Sequence, residues 1–231
     1  MPGRPAADLT AVPVARRASV WCAFGLSLVF ISLTLLVVRG VTQSVDAEVL
    51  QRLRPDGVWG ETQLRYTPWM TRLRPLHMVL LLGATSITVS LWRRSWWPLA
   101  FSLVLAGVSG AVTLVVKVAT HRPDSGGFVT ESGGSYPSGH TVALVVCLSG
   151  CLLVVRPRVR WWLWVPLAVP AGLLTTALLV SGAHWFSDVL GGILLALAVV
   201  LGSCRSRLRY RAHPPAGSAA AVGPRRRRRS P

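Results

Sequence analysis

The chain has 231 residues, of which 52% are hydrophobic and 14% charged, and its mean hydropathy is +0.50. Soluble domains carry nearer a quarter charged residues, so this composition excludes an ordinary soluble domain and predicts a membrane protein with several spans. The formal net charge of +17 is concentrated at the chain ends and in short segments between apolar runs, which membrane topology explains better than nucleic-acid binding.

The first predicted elements are a polar tail and one transmembrane helix. Residues 1–18 are polar and predict a disordered cytoplasmic tail, and the apolar run 19–38 is long enough to cross about 30 Å of hydrocarbon. Residues 39–75 mix acidic and basic side chains and are too polar to span the bilayer. We expect this segment to be an outer loop with room for a short amphipathic helix.

Further apolar runs follow and predict transmembrane helices at 76–92, 97–116, 138–155, 161–180 and 185–201. The segment 120–137 between two of them is rich in Gly, Ser and Pro and is too polar for the bilayer core. The sequence thus predicts an all-α, polytopic membrane domain of six helices over residues 19–203. Residues 204–231, with a run of arginines at 225–229, cannot build a core and predict a disordered cytoplasmic tail.

The arginine distribution predicts the orientation of the spans. An even number of spans places both termini on one side, and the basic segments at the two ends, at 93–94 and at 156–160 then share that side. Because positively charged segments stay in the cytoplasm, both termini are predicted to be cytoplasmic. Lys117, His140 and His184 then lie at the extracytoplasmic ends of three spans, where ionisable residues are candidates for function.

His184 and Asp188 stand at i and i+4 at the predicted start of the last span. On a helix this spacing lets the carboxylate accept a hydrogen bond from one imidazole nitrogen, which holds the ring in one tautomer and leaves the other nitrogen free to react. The alternative is that two polar residues merely cap a membrane helix at the water interface. Their convergence with Lys117 and His140 on one face favours a functional site.

Ser138, Gly139 and His140 follow Pro137 at the predicted start of the fourth span. Serine is a preferred N-cap and glycine lets a ligand approach the backbone, so the free N–H groups at this helix start form a candidate anion site. The alternative is a capped helix with a bystander histidine.

Lys117 and Arg122 add positive charge near the same face. Lysine supplies a point charge and arginine a planar fork that suits phosphate oxygens, although both also snorkel to the interface at helix ends. In such a pocket one histidine can attack phosphorus while the other protonates the leaving oxygen. A metal site built from His140, His184 and Asp188 is disfavoured because the neighbouring basic groups would repel a cation. No metal or other cofactor is expected.

These segments resemble the signature of the type 2 phosphatidic acid phosphatase superfamily, which includes lipid phosphate phosphatases. The resemblance covers residues 117–192: Pro-Ser-Gly-His at 137–140 matches the central motif, and His184 with Asp188 resembles the last motif. By this resemblance His184 is the nucleophile that forms a phosphohistidine, Asp188 orients it, and His140 is the general acid. The resemblance also implies that the substrate phosphate is held by Lys117, Arg122, Ser138 and the amide of Gly139.

Two positions depart from the family pattern. The family's first motif normally has six residues between its lysine and its Arg-Pro pair, whereas four separate Lys117 from Arg122 here. The family also has an arginine six residues before the last histidine, where this chain has Leu178. One lost charge contact can cost about 2–4 kcal/mol of transition-state stabilisation. Arginines of the outer loop are candidate replacements: Arg65, Arg72 and Arg74.

The resemblance implies an integral phosphatase of the bacterial plasma membrane that hydrolyses a lipid phosphate or diphosphate at the outer leaflet. Undecaprenyl diphosphate, phosphatidic acid and phosphatidylglycerol phosphate are the candidate substrates. The expected partners are the lipid substrate and the bilayer, without nucleic acid, and the sequence predicts no oligomeric state. The alternative is a catalytically weakened relative that binds lipid phosphate or acts as a membrane scaffold. A haloperoxidase of the same superfamily is disfavoured by the six spans.

Overall fold

A computed structural model describes residues 11–57, 59–129, 133–156 and 159–204. Within these ranges every regular element is helical, which confirms the predicted all-α class. Single 3₁₀ turns lie at Pro55–Gly57 and Trp161–Trp164. The α-helices in chain order are α1 (Ala11–Val38), α2 (Gln43–Leu53), α3 (Glu61–Arg72), α4 (Pro75–Arg93), α5 (Trp97–Thr120), α6 (Gly139–Val155), α7 (Val165–Val180) and α8 (Phe186–Ser203).

The apolar helices correspond closely to the predicted spans. Five stretches are long and apolar enough to cross a membrane: Ser19–Val38, Glu61–Arg93, Trp97–Thr120, Trp161–Val180 and Phe186–Ser203. The remaining predicted span, the fourth in chain order, is the shorter apolar helix α6, whose 17 residues reach the lower limit for a transmembrane helix. The predicted polytopic membrane fold is therefore confirmed.

The first helix begins earlier than predicted, at Ala11 instead of residue 19. Residues 11–18, predicted as part of the tail, belong to α1, whose proline falls in the first helical turn, where it is tolerated. Residues 1–10 and 205–231 lie outside the described residues, and the tails predicted there stay predictions.

Helix α6 lies at the centre of the bundle and contacts α4, α5, α7 and α8. Its residues are apolar around the whole circumference, as expected of a helix buried on all sides. Gly150 lets side chains of α4 and α5 pack closely on α6, because a Cβ built there would lie 2.9 Å from Leu82 Cδ1 and 3.0 Å from Leu105 Cδ2. The central position of α6 presents its N-terminus to the ends of α5 and α8.

The outer segment 39–75 holds two helices instead of the one short amphipathic helix predicted. Helix α2 packs against α7 and α8, and α3 packs against α7. Each has a buried polar residue, Asp46 on α2 and Gln63 on α3. This segment thus covers one end of the bundle as a folded cap.

Tyr136 anchors the loop between α5 and α6. Its ring is fully buried, stacks on Phe30 with centroids 6.2 Å apart, and its hydroxyl lies 3.0 Å from Thr34 Oγ1. The same ring fills the space over Gly191, where a Cβ would lie 2.6 Å from it. Burial raises the pKa of Tyr136 to about 12, so the phenol stays protonated at neutral pH. The contact fixes the start of α6 against α8, and Ser138 N–H donates to the Asp188 carbonyl at 3.0 Å.

Candidate active site

Three helix ends converge at the capped end of the bundle. The end of α5 supplies Lys117, the start of α6 supplies Gly139 and His140, and the segment before α8 supplies His184. All four residues line one cavity of about 590 Å³. The structure therefore brings together the residues that topology alone placed on a common face.

His184 is held from one side by Asp188. Its Nδ1 lies 3.4 Å from Asp188 Oδ2, and the same oxygen accepts the Trp185 backbone N–H at 3.0 Å. Asp188 lies in the first turn of α8, where a carboxylate is favoured by the free N–H groups and the helix dipole. His184 is 9% exposed and lines the cavity, and its Nε2 has no hydrogen-bond partner within the described part of the chain. This arrangement leaves Nε2 available to attack.

His140 faces His184 across the cavity. The two ring centroids are 6.2 Å apart with the planes at 69°. Both rings line the same cavity, so a phosphoryl group bound there would lie next to both histidines. One histidine can therefore serve each side of a phosphorus–oxygen bond.

Ser138 was predicted both to cap α6 and to bind phosphate. As predicted, Ser138 caps the helix and its Oγ accepts the Thr141 N–H at 3.4 Å. The side chain is fully buried, also accepts the Thr141 hydroxyl at 3.1 Å, and does not line the cavity. Gly139 lines the cavity, and the phosphate contacts predicted for the Ser138 hydroxyl and the Gly139 amide stay predictions.

Lys117 is half-buried beside the start of α6. Its Nζ donates to the carbonyls of Gly134 at 2.6 Å and Ser135 at 3.4 Å. A Cβ on Gly139 would lie 3.7 Å from Lys117 Cε, so the absence of a side chain there leaves room for the lysine stem. Among the described residues the ammonium group contacts neutral carbonyls and no carboxylate, so its charge is available to an anion in the cavity.

Arg122 lies behind the histidines instead of in the cavity. Its Nη1 donates to Asp188 Oδ1 at 2.7 Å and to Ser187 Oγ at 2.6 Å, and its Nη2 donates to Asp46 Oδ2 at 2.6 Å. The guanidinium also lies 5.4 Å from the Trp185 ring centroid. Both terminal nitrogens of Arg122 contact carboxylates, and Arg122 does not line the cavity. In this placement Arg122 supports Asp188, and its predicted contact with phosphate stays a prediction.

The shortened first motif accounts for this placement. Helix α5 ends at Thr120, and His121 adopts a left-handed conformation with φ of 43°, so the chain leaves the helix direction before Arg122. The returning loop is held by the Gly134 N–H, which donates to the Lys117 carbonyl at 3.1 Å, and by the Ser135 N–H, which donates to the Arg122 carbonyl at 2.6 Å. Lys117 thus stays on the cavity side while Arg122 turns towards α2 and α8.

Leu178 occupies an apolar core and has no access to the cavity. It is fully buried and packs with Leu174, Cys147 and Val189 among others. An arginine at this position would bury a charge among apolar groups, which is costly without a partner. The apolar surroundings of Leu178 therefore could not accommodate the arginine that the family pattern has at this position.

The outer-loop arginines differ in what they contact. Arg65 pairs with Glu61 at 3.2 Å in an exposed ion pair, and Arg72 stacks over the Trp69 ring at 5.2 Å. Arg74 is exposed, precedes the cavity-lining Pro75, and its side chain makes no ion pair with the described residues. Of the three candidates, Arg74 is placed to meet an anion in the cavity mouth.

Sequence reasoning missed Asp46. It was one of several acidic residues in the outer loop, and its position in the sequence carries no motif or spacing that marks it. Only its burial, at 1% exposure, and its contacts with Arg122 and Ser187 distinguish it.

No group of three His, Cys, Asp or Glu side chains in the described ranges has the arrangement of a metal site. Both oxygens of Asp188 are already engaged, Oδ1 by Arg122 and Oδ2 by His184 and the Trp185 amide. The donor set therefore suits an anion better than a cation.

Comparison with known proteins identifies the family. The family model described as the PAP2 superfamily matches residues 23–211. A solved structure, the first transmembrane PAP2 type phosphatidylglycerolphosphate phosphatase from Bacillus subtilis, is similar over 79% of this chain and 94% of that one, with a TM-score of 0.65 and 20% sequence identity. No curated protein matches the sequence significantly. Because the family match covers most of the sequence and includes the cavity-lining histidines, this chain belongs to the PAP2 superfamily.

Proposed function

We propose that this protein is a membrane phosphatase that hydrolyses a lipid phosphate or diphosphate through a phosphohistidine on His184. One observation carries the proposal: a single cavity has two histidines and a lysine at one end and an apolar wall along the rest. A phosphorylated lipid has the same division, with a charged head and an apolar chain.

One wall of the cavity follows one face of α5. The lining residues of this helix recur at helical spacing, and they are small, hydroxyl-bearing or apolar up to the lysine at the polar end: Ala106, Ser109, Gly110, Thr113, Leu114 and Lys117. From the first to the last of these residues the helix rises about 16 Å at 1.5 Å per residue. A lipid chain lying along this face would have its phosphate beside Lys117, which supports a lipid substrate over a small soluble phosphate ester.

The proposed reaction has two transfers of the phosphoryl group. His184 Nε2 forms a bond to phosphorus as the bond to the lipid oxygen breaks, and His140 gives that oxygen a proton. His140 then takes a proton from water, whose oxygen attacks the phosphohistidine and releases inorganic phosphate. Lys117 and the N-terminal amides of α6 stabilise the negative oxygens in both steps. Asp188 holds the His184 ring and stabilises the positive charge that it gains.

The candidate substrates remain those implied by the family resemblance. The similar structure from Bacillus subtilis is named as a phosphatidylglycerolphosphate phosphatase, which makes that lipid a natural first choice beside phosphatidic acid and undecaprenyl diphosphate. The arginine-rich segments support a plasma-membrane orientation with both termini in the cytoplasm and the cavity mouth on the outer side.

Phosphate release from a lipid panel tests the function. We expect the detergent-purified protein to hydrolyse at least one of the three lipids, and to do so equally in excess chelator because His184 supplies the nucleophile without a metal. Failure with every lipid would contradict the phosphatase function and favour the weakened, lipid-binding alternative. Loss of activity in chelator that added Mg²⁺ restores would contradict metal independence alone.

We propose that Arg74 supplies part of the substrate charge contact that Leu178 cannot. Arg74→Ala should raise KM for the preferred lipid about tenfold, which corresponds to about 1.4 kcal/mol of lost binding, and change kcat by less than about threefold. Arg65→Ala is the matched control, since Arg65 is an exposed outer-loop arginine that pairs with Glu61. Equal KM values for the two variants and the wild type would exclude this role for Arg74.

A further inference from the structure

We propose that Asp46 on the outer helix α2 is a positioning residue that acts on the nucleophile through Arg122 and Asp188. The inference rests on the proposed function for the role of His184. It adds a residue outside the matching motifs and gives the outer segment a part in the chemistry.

A continuous chain of charged groups joins Asp46 to His184. Asp46 Oδ2 accepts Arg122 Nη2 at 2.6 Å, and Arg122 Nη1 donates to Asp188 Oδ1 at 2.7 Å. The other oxygen of Asp188 lies 3.4 Å from His184 Nδ1. Each link is a charge-assisted contact, and the two arginine contacts have the short distances typical of strong ones.

The contact of Asp46 with α8 is equally specific. Asp46 Oδ1 accepts the Ser187 backbone N–H at 2.8 Å, and Oδ2 accepts the Ser187 hydroxyl at 2.7 Å. A carboxylate that accepts N–H groups at a helix start is well placed, because the free amides and the dipole both favour negative charge there. Asp46 and Asp188 therefore both bind the first turn of α8, next to the nucleophile.

Burial makes this arrangement sensitive to the loss of one charge. Asp46 is 1% exposed, the Asp188 side chain is fully buried, and the Arg122 side chain is 11% exposed. A buried charge is tolerated only when it is paired, so removal of the Asp46 charge leaves Arg122 with Asp188 as its sole carboxylate partner among the described residues. Arg122 would then neutralise Asp188 more completely, and Asp188 would stabilise a positive charge on His184 less well. The expected effect is on the chemical step.

Helix α2 also shields this network. It forms a tightly packed contact with the segment that begins α8. This contact is lined by Val49, Leu50 and Leu53 from α2 and by His184, Trp185 and Phe186. Asp46 itself does not line the substrate cavity. A change at Asp46 should therefore alter turnover without altering lipid binding.

The test is Asp46→Asn, with Glu48→Gln as the matched control. Asparagine keeps the shape of Asp46 and removes its charge, while Glu48 lies on the same helix in an exposed pair with Arg52. We expect Asp46→Asn to lower kcat on the preferred lipid about 10- to 100-fold with KM within about twofold, and Glu48→Gln to change neither. A wild-type kcat in Asp46→Asn, or a loss confined to KM, would overturn the proposal.

A double-mutant cycle shows whether Asp46 acts through Arg122. In an Arg122→Gln background, adding Asp46→Asn should lower kcat by less than about twofold further. If the two substitutions lower kcat by independent factors that multiply, Asp46 does not act through Arg122. If Asp46→Asn lowers the thermal midpoint equally in both backgrounds, Asp46 contributes to stability alone.

A readout without substrate separates this inference from the proposed function. Nitrogen-15 histidine spectra of the detergent-solubilised protein should show the His184 ring resonances shifted in Asp46→Asn and unchanged in Glu48→Gln. Unchanged His184 resonances in Asp46→Asn would overturn the proposed action of Asp46 on His184, even if the protein hydrolyses lipid. Conversely, shifted His184 resonances in a protein that releases no phosphate from any lipid would support the action of Asp46 on His184 and contradict the phosphatase function.

Discussion

His184→Ala should reduce phosphate release by about 10⁴-fold or more, because the proposed covalent intermediate forms on His184 Nε2. The ring lies against Asp188 on one side and the cavity on the other, and alanine removes the nitrogen that would attack phosphorus while Asp188 keeps its contacts with Arg122 and the Trp185 amide. Water would have to attack the lipid phosphate directly, and the remaining groups supply only binding and charge stabilisation.

Trapping the intermediate makes this test specific. Wild-type protein mixed with radiolabelled lipid phosphate and quenched in alkali should retain label on histidine, and His184→Ala should retain none. His77→Gln is a suitable control, since His77 is exposed at the start of α4 and its ring lies within hydrogen-bond distance of the Arg72 carbonyl. Label that persists in His184→Ala would place the nucleophile elsewhere.

His140→Ala should reduce turnover of the natural lipid by about 10²–10⁴-fold, the usual contribution of a general acid. The expected loss depends on the leaving group, because an alkoxide needs a proton whereas nitrophenolate does not. With p-nitrophenyl phosphate the first transfer should survive, and the variant should release a burst of about one nitrophenolate per protein.

The burst should be followed by slow steady release, since His140 also activates the water that cleaves the phosphohistidine. Stopped-flow absorbance measures both phases. The ring centroids of His140 and His184 are 6.2 Å apart, so His140 lies close enough to protonate the leaving oxygen and later to activate the water. An equal loss for lipid and p-nitrophenyl phosphate, with no burst, would indicate that His140 binds phosphate and does not transfer a proton.

The membrane spans were predictable because their signal is local. Long apolar runs must become helices in a bilayer, where each backbone group needs a partner within its own segment. The predicted limits 161–180 and 138–155 differ from the observed helices by no more than a residue. The start of α1 was missed because charged residues outside the bilayer do not stop a helix.

The pairs His184 with Asp188 and Ser138 with Thr141 were also accessible from sequence. The members of each pair are three or four positions apart at the start of a helix, so local spacing brings them close, although His184 itself precedes the first residue of α8. The role of Arg122 was not accessible in this way. Its partner Asp46 is 76 positions away in the chain, and no local pattern indicates which of several acidic residues it meets.

By itself the sequence determined the class of the protein, its spans and the chemical types gathered at one end of the bundle, because hydrophobicity and helical spacing act over short distances. Only the tertiary structure decided which cations face the cavity. Lys117 and Arg122 are only five positions apart, yet a left-handed residue at His121 directs one to the cavity and the other to a pair of buried carboxylates. The physical reason is that a buried arginine takes the carboxylates that packing brings to it, and packing joins segments that the sequence holds far apart.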